Sequence, residues 1–521
     1  MYKLFLLIVL PLFITACESS NNGSVKIEKS GAWETVTPES QGFDSEILAD
    51  MLQRVQEDNL AVNSIILMKN GKLILEVYRH PYHVDSLFNV MSVTKSIVSA
   101  MTGIALDRKV FTSLNEPLIT HLKEYDVPSI DDTKRHITIL HALTMTTGLD
   151  CNDSNNKEMG RIMRSSDWVA ASLACPQIYP PGTAYGYSSL ATHLLGAALT
   201  EATSRDLLNL STEWLFEPLE MDEVLWEVTP EGYRLGGGWI WMKARDMLRF
   251  GKLYLDGGEA KNSRVVSQEW IEKSIVNQVG ELAASTEEIS GEEYGYGWWV
   301  VQGSPIALGV GGQTIFLIPE LDIVAVITQA NESVDLLSEY IAPALKSYLP
   351  TWPNQQGVEK LNTLVAQVAQ KPIASRVKPI PTAAWSADQV FSLANHSTKI
   401  YHNGFNNPTV DGFRLSFKEN SSQAEFTLVS KEHSTALDIG LDGVARLSDA
   451  GTFGRRPDGQ GTISLQGEWI STHTFEFTLV ELGYPQVEYW QLTFNDGGFD
   501  IKVKGEGSSA YEYSFRSEAD I

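Results

Sequence analysis

Two β-rich blocks stand at opposite ends of a long, mostly helical stretch, and any fold for this chain must bring them together. Ser64 to Met68 and Leu73 to Tyr78 are apolar runs joined by Lys69-Asn70-Gly71-Lys72. Asn-Gly between apolar runs is the strongest short hairpin signal, because both turn positions need a positive φ. Far downstream, Trp298 to Val301, Thr314 to Ile318 and Ile323 to Ile327 read as three more strands, followed by helical spacing at Val334, Leu337, Ile341 and Leu345. The economical solution is one antiparallel sheet fed from both ends of a domain, flanked by helices, with a helical region inserted between. Ile47, Leu48, Met51, Leu52 and Val55 add a helix ahead of the hairpin, with Asp44 as its N-cap.

After Pro350 the pattern changes. Residues 353–380 read as a short amphipathic helix and a linker carrying Pro372 and Pro379, with Pro381 just beyond it. Residues 381–521 carry period-2 runs such as Phe413, Leu415, Phe417 and Phe475, Phe477, Leu479, which predict a separate all-β domain of sandwich or barrel type. Composition narrows the partners. A net charge of −25 over 521 residues repels phosphate backbones and argues against nucleic acid. Three cysteines are too few for a disulfide-built scaffold or a Cys-rich zinc site, and neither a nucleotide-binding glycine loop nor another cofactor motif is present.

Residues 1–16 read as an export signal. Lys3 precedes an apolar run, Leu4 to Ile14, too short to span a bilayer. Ile14-Thr15-Ala16-Cys17 is similar to the bacterial lipobox, which makes Cys17 the lipidated first residue of the mature chain; the other reading is a plain signal peptide with a chance cysteine. Glu18 is not the Asp associated with inner-membrane retention, so the expected location is the periplasmic side of the envelope, with the outer membrane favoured. Residues 17–32 serve as a flexible tether and residues 33–352 form the main domain. In an oxidising compartment Cys151 and Cys175 either close the polar loop between them as a disulfide or stand as two small apolar residues.

The chemistry-bearing segment is Asn89-Val90-Met91-Ser92-Val93-Thr94-Lys95. Ile97, Met101, Ile104 and Ala105 continue at helical spacing, so Ser92 opens a buried helix and Lys95 lies one turn on along the same face. A serine hydroxyl becomes a nucleophile beside a base, and a buried lysine serves once burial disfavours its charged form. The competing reading makes Ser92 an N-cap and Lys95 a solvent-facing side chain. Ser154-Asn155-Asn156-Lys157 matches the same pattern but sits in a polar loop and is read as chance.

That segment, together with Ile137 to Leu149 (ITILHALTMTTGL), Pro181 to Ser189 (PGTAYGYSS), Gly236 to Asp246 (GGGWIWMKARD) and Tyr294 to Trp299 (YGYGWW), resembles the serine β-lactamase and penicillin-binding-protein superfamily. The likeness is to its class C-like branch of esterases and amide hydrolases, which includes 6-aminohexanoate-dimer hydrolases. The resemblance implies an α/β fold of the β-lactamase/transpeptidase-like type. It implies Ser92 as acylated nucleophile, Lys95 as its base partner and Tyr187 as proton shuttle. Gly311, Gly312 and Gln313 fall on the strand that approaches substrate and offers an oxyanion N–H.

Two departures bear on substrate. Penicillin-recognising relatives carry Asn where this chain has Ser189, and Lys or His before Thr-Gly where this chain reads Ala307-Leu308-Gly309-Val310-Gly311-Gly312. Without those groups a carboxylate-bearing β-lactam or D-Ala-D-Ala substrate loses its anchors. The expected protein is a lipid-anchored serine hydrolase acting on esters or small amides, without metal or cofactor. The alternatives are a β-lactamase or D-Ala-D-Ala peptidase, and a non-catalytic penicillin or peptidoglycan sensor. No Gly-x-Ser-x-Gly elbow supports an α/β-hydrolase, His80 and His83 lack further metal ligands, and His141 reads as structural.

Overall fold

The computed structural model describes residues 33–518, apart from 123–124, 126–129, 281–283, 286–292, 332–334, 379, 382–389, 393–411, 419–420, 496–497 and 508–510. The leader, Cys17 and the whole tether lie outside the described residues.

The hairpin forms as the Asn-Gly signal requires. Strands β1 (Val62–Lys69) and β2 (Lys72–Tyr78) flank Asn70 and Gly71, both at positive φ. β1 then pairs antiparallel with Ile323–Gln329, matching Ile65 to Ile327 and Leu67 to Ala325. The two distant blocks thus meet in one sheet of seven strands, in the order 293–294, 299–301, 304–309, 313–318, 323–329, β1, β2. β1 is buried on both faces because helices cover both. Ile65 and Leu67 point to helix α1 (Ser45–Glu57), whose N-cap Asp44 accepts from Glu46 N–H, while Ile66 and Met68 point to the main core.

Two elements differ from the sequence expectation. The helix assigned to the linker, Gln355–Val368, packs Leu361, Leu364 and Val368 into the core around α1, so this segment belongs to the main body. Its apolar face is legible as an amphipathic helix, but its partner, α1, lies some 300 residues earlier. The stretch Ala307 to Thr314, read as one strand, is a hairpin of Ser304–Gly309 and Gln313–Ile318. Gly311 and Gly312, both at positive φ, form the turn, a conformation that a search for alternating apolar residues does not see.

The C-terminal domain is a single curled sheet of ten strands running from Val390–Ser392 to Tyr511–Glu518, antiparallel except for one short parallel contact. Its period-2 reading holds in Thr474–Glu481, where burial alternates residue by residue, and the inward side chains, Phe413, Phe426, Phe477 and Trp490 among them, fill the core.

One turn of this domain, between Thr474–Glu481 and Gln486–Asn495, docks on the main body. Asn89 N–H donates to Gly483 O at 2.8 Å, and Tyr484 is buried with Leu87, Met91 and Trp241. Gly483 sits at positive φ, and a Cβ there would collide with the Leu87 carbonyl. Acidic groups meet at this junction. Burial pushes the Glu227 carboxyl up to about 7, with the charge of Glu481 adding to the rise and Arg234 opposing it. Burial likewise pushes Glu481 up to about 7 against the pull of Arg455. The folded protein therefore retains protons that the unfolded chain, with carboxyls near 4.5, has released, so this pair destabilises the fold as pH rises from about 4.5 to about 7. Glu227→Gln should remove part of that loss, narrowing the stability difference between pH 5 and pH 7.5 by on the order of 2 kcal/mol in denaturant titrations. An unchanged difference would contradict this electrostatic account.

Candidate active site

Strand β3 (Leu87–Asn89) leads into helix α2 (Val93–Asp107), whose first thirteen residues are buried. Between them Met91 takes a left-handed φ of 48°, and Asn89 Oδ1 accepts its N–H at 3.0 Å. A non-glycine residue held in that region is strained and persists only where its surroundings fix it. The turn delivers Ser92 to the N-terminus of α2, where its side chain makes no capping bond. The capping reading of Ser92 thus fails: its hydroxyl faces Lys95 Nζ at 2.9 Å.

Lys95 does not reach solvent; it is 1% exposed. Its Nζ contacts three oxygens: Ser92 Oγ at 2.9 Å, Ser189 Oγ at 2.9 Å and the Gly237 carbonyl at 2.7 Å. Burial pushes the ammonium down to about 8, while the charge of Asp153 pulls the other way. A neutral amine satisfies the same trio, with two N–H bonds for Ser189 and Gly237 and its lone pair for the Ser92 O–H. The Gly237 carbonyl arrives because Gly236 and Gly237 run against the first turns of helix Ser189–Thr203, where any Cβ would strike the backbone of Thr192 or Ser189.

Tyr187 stands over this cation, with Lys95 Nζ 4.8 Å from its ring centre. Its ring stacks on Trp299 at 5.1 Å and meets Tyr294 edge-on at 6.0 Å. Four sequence-predicted residues, Ser92, Lys95, Tyr187 and Ser189, are therefore brought together from two separate segments.

Asp153 completes the cluster and was not singled out from the sequence. Its Oδ1 accepts Ser189 N–H at 2.7 Å and its Oδ2 accepts the Ser189 hydroxyl at 2.6 Å. A chain of polar contacts thus runs from Ser92 through Lys95 and Ser189 to Asp153. Its own N–H donates to Tyr187 O at 2.9 Å. Cys151 and Cys175 are joined by a disulfide, with Cα atoms 6.0 Å apart, which closes the segment beginning at Asp153. The nearby Ser154 turns to Asn152 Oδ1 at 2.6 Å rather than toward Lys95. His141 forms a reciprocal capping box with Thr138, a structural role.

The glycine hairpin is placed differently from the strand expected. Gly311 rests on Pro485, Gly312 on the Gln329 side chain, and buried Gln313 turns its carboxamide to the Gln329 and Gly311 carbonyls. The strand residue backed onto the Val90 carbonyl and the Met91 side chain is Gly309. Among the described residues, no three His, Cys, Asp or Glu side chains cluster as a metal site.

The family model described as Beta-lactamase matches residues 49–345, more than half of the chain. A 6-aminohexanoate-dimer hydrolase of Paenarthrobacter ureafaciens is 26% identical over 306 residues, spanning 54% of this chain and 74% of that protein. Esterase EstB of Burkholderia gladioli is 29% identical over 153 residues, 27% of this chain and 38% of the esterase. Among solved structures, a protein from Bacteroides dorei DSM 17855 described as a beta-lactamase superimposes with a TM-score of 0.50 at 19% identity, covering 58% of this chain and 100% of that one.

Proposed function

The chain belongs to the beta-lactamase family and is a serine hydrolase, and we propose that it cleaves esters or small amides through an acyl-enzyme on Ser92. One observation carries the reading: a buried lysine, its pKa lowered to about 8, holds the Ser92 hydroxyl at 2.9 Å. In the proposed cycle Ser92 Oγ attacks the substrate carbonyl carbon while its proton passes to Lys95 Nζ. The oxyanion is met by N–H groups at the start of α2 and from the Gly309–Gln313 hairpin. Collapse expels the alkoxide or amine, which takes a proton relayed by Lys95 and Tyr187. Water, giving a proton to Lys95, then attacks the acyl carbonyl; the Ser92 Oγ–carbon bond breaks, the carboxylic acid leaves, and Lys95 returns the proton to Ser92 Oγ.

The substrate class follows from what surrounds this centre. Ser189 spends its hydroxyl on Lys95 and Asp153, and residues 307–312 offer backbone and small apolar side chains rather than a cation. Such a site suits a neutral ester or amide better than a carboxylate-bearing β-lactam. Short-chain nitrophenyl esters should therefore turn over with kcat/KM at least about tenfold above nitrocefin, an advantage of roughly 1.4 kcal/mol in the transition state. A nitrocefin rate far above the ester rate would make the protein a β-lactamase. The intact Ser92, Lys95 and Tyr187 set disfavour a non-catalytic sensor.

We further propose that the mature protein is lipid-anchored through Cys17 on the periplasmic side of the envelope, with the outer membrane favoured. The short apolar run ending at Ile14-Thr15-Ala16-Cys17 supports this reading. A mature N-terminus without a diacylglyceryl mass on Cys17 would refute it.

A further inference from the structure

We propose that the C-terminal domain is part of the catalytic apparatus: its turn Glu481–Gln486 is a positioning element that holds the Met91–Ser92 turn in the geometry that presents the nucleophile. The proposal rests on the Ser92 assignment above.

Three successive residues of the turn reach three parts of the nucleophile's surroundings. Gly483 O accepts the N–H of Asn89 at 2.8 Å, and Asn89 is the residue whose side chain in turn fixes Met91 N–H at 3.0 Å. Tyr484, 2% exposed, packs its ring with Met91, Leu87 and Trp241, its centroid 6.2 Å from that of Trp241. Pro485 lies against Gly311, where a Cβ would collide with it. The turn is itself braced. The Arg455 guanidinium sits 4.2 Å over the Tyr484 ring and pairs with buried Glu488 at 3.3 Å.

These contacts matter because Met91 is left-handed and carries a β-carbon, a conformation its own chain does not favour. Within the main body, Asn89 and the β3 ladder hold one side of it. Tyr484 belongs to the small apolar cluster that buries Met91 together with Leu87 and Trp241. Without that ring the cluster around Met91 loses the part that the C-terminal domain supplies, and relaxation of φ toward ordinary values swings Ser92 Oγ away from Lys95. A shift of about 1 Å in a reacting atom is enough to cost up to about 100-fold in rate.

The test uses full-length protein. Tyr484→Ala should lower kcat for a nitrophenyl ester, and the rate of fluorophosphonate labelling in parallel, by about tenfold or more, with KM within about twofold. Tyr484→Phe, which keeps the ring, should remain near wild type. Both are to be read below the variants' melting temperatures. Should Tyr484→Ala fail to fold, Pro485→Gly provides the same comparison, with the same fall in kcat expected. Wild-type kcat and labelling in a folded Tyr484→Ala or Pro485→Gly protein would reduce the turn to a docking contact and overturn the proposal. Failure of the Ser92 assignment is distinguishable, because Ser92→Ala would then label as fast as wild type whatever residue 484 is.

Discussion

Lys95→Met should lower kcat/KM for ester hydrolysis by about 10³-fold or more, because it removes the base hydrogen-bonded to Ser92 while filling the same volume. In the wild-type enzyme the same group sets the pH dependence. Lys95 must be neutral to accept the proton, so kcat/KM should rise with pH through about 8 and level off above it. In Lys95→Met that limb should vanish along with most of the rate. A variant that retained the limb near 8 would assign it to another group and remove Lys95 from the base role.

Asp153→Ala is the second large effect expected, on the order of 100-fold in kcat. The loss has two parts that separate experimentally. Ser189 loses both contacts with Asp153, at 2.7 and 2.6 Å, so the oxygen that orients Lys95 is held less firmly. Lys95 also loses the anion that supports its charge, so its pKa falls further. The signature is therefore a slower enzyme whose kcat/KM limb has moved below about 8. Asp153→Asn, which keeps hydrogen-bonding capacity but not charge, should recover part of the rate while retaining the displaced limb. A slower enzyme with an unmoved limb would make Asp153 a purely structural residue of its loop.

What the sequence disclosed was local. The Asn70-Gly71 turn, the placement of Ser92 and Lys95 one helical turn apart, and the alternation in Thr474–Glu481 each depend on neighbours within a few residues, and each appears in the fold. What it concealed depends on contacts across the chain. Asp153 carries no periodic signal and becomes part of the site because helix Ser189–Thr203 starts beside it and the Cys151–Cys175 bridge closes its loop. The carbonyl of Gly237 was visible only as a run of three glycines; its use as a third partner for Lys95 needs the close approach those glycines permit. The Gly311–Gly312 turn escaped because two successive positive φ values break a strand without changing its apolar content. The docking of Tyr484 lies almost 400 residues from Met91, and no pattern in either segment announces the other.

Active-site labelling tests the central claim most directly. Purified protein treated with a fluorophosphonate should gain one adduct by intact mass, mapping to the peptide that contains Ser92, with neither adduct nor ester hydrolysis in a folded Ser92→Ala variant. Equal labelling of the variant, or an adduct mapped to another serine, would contradict the account.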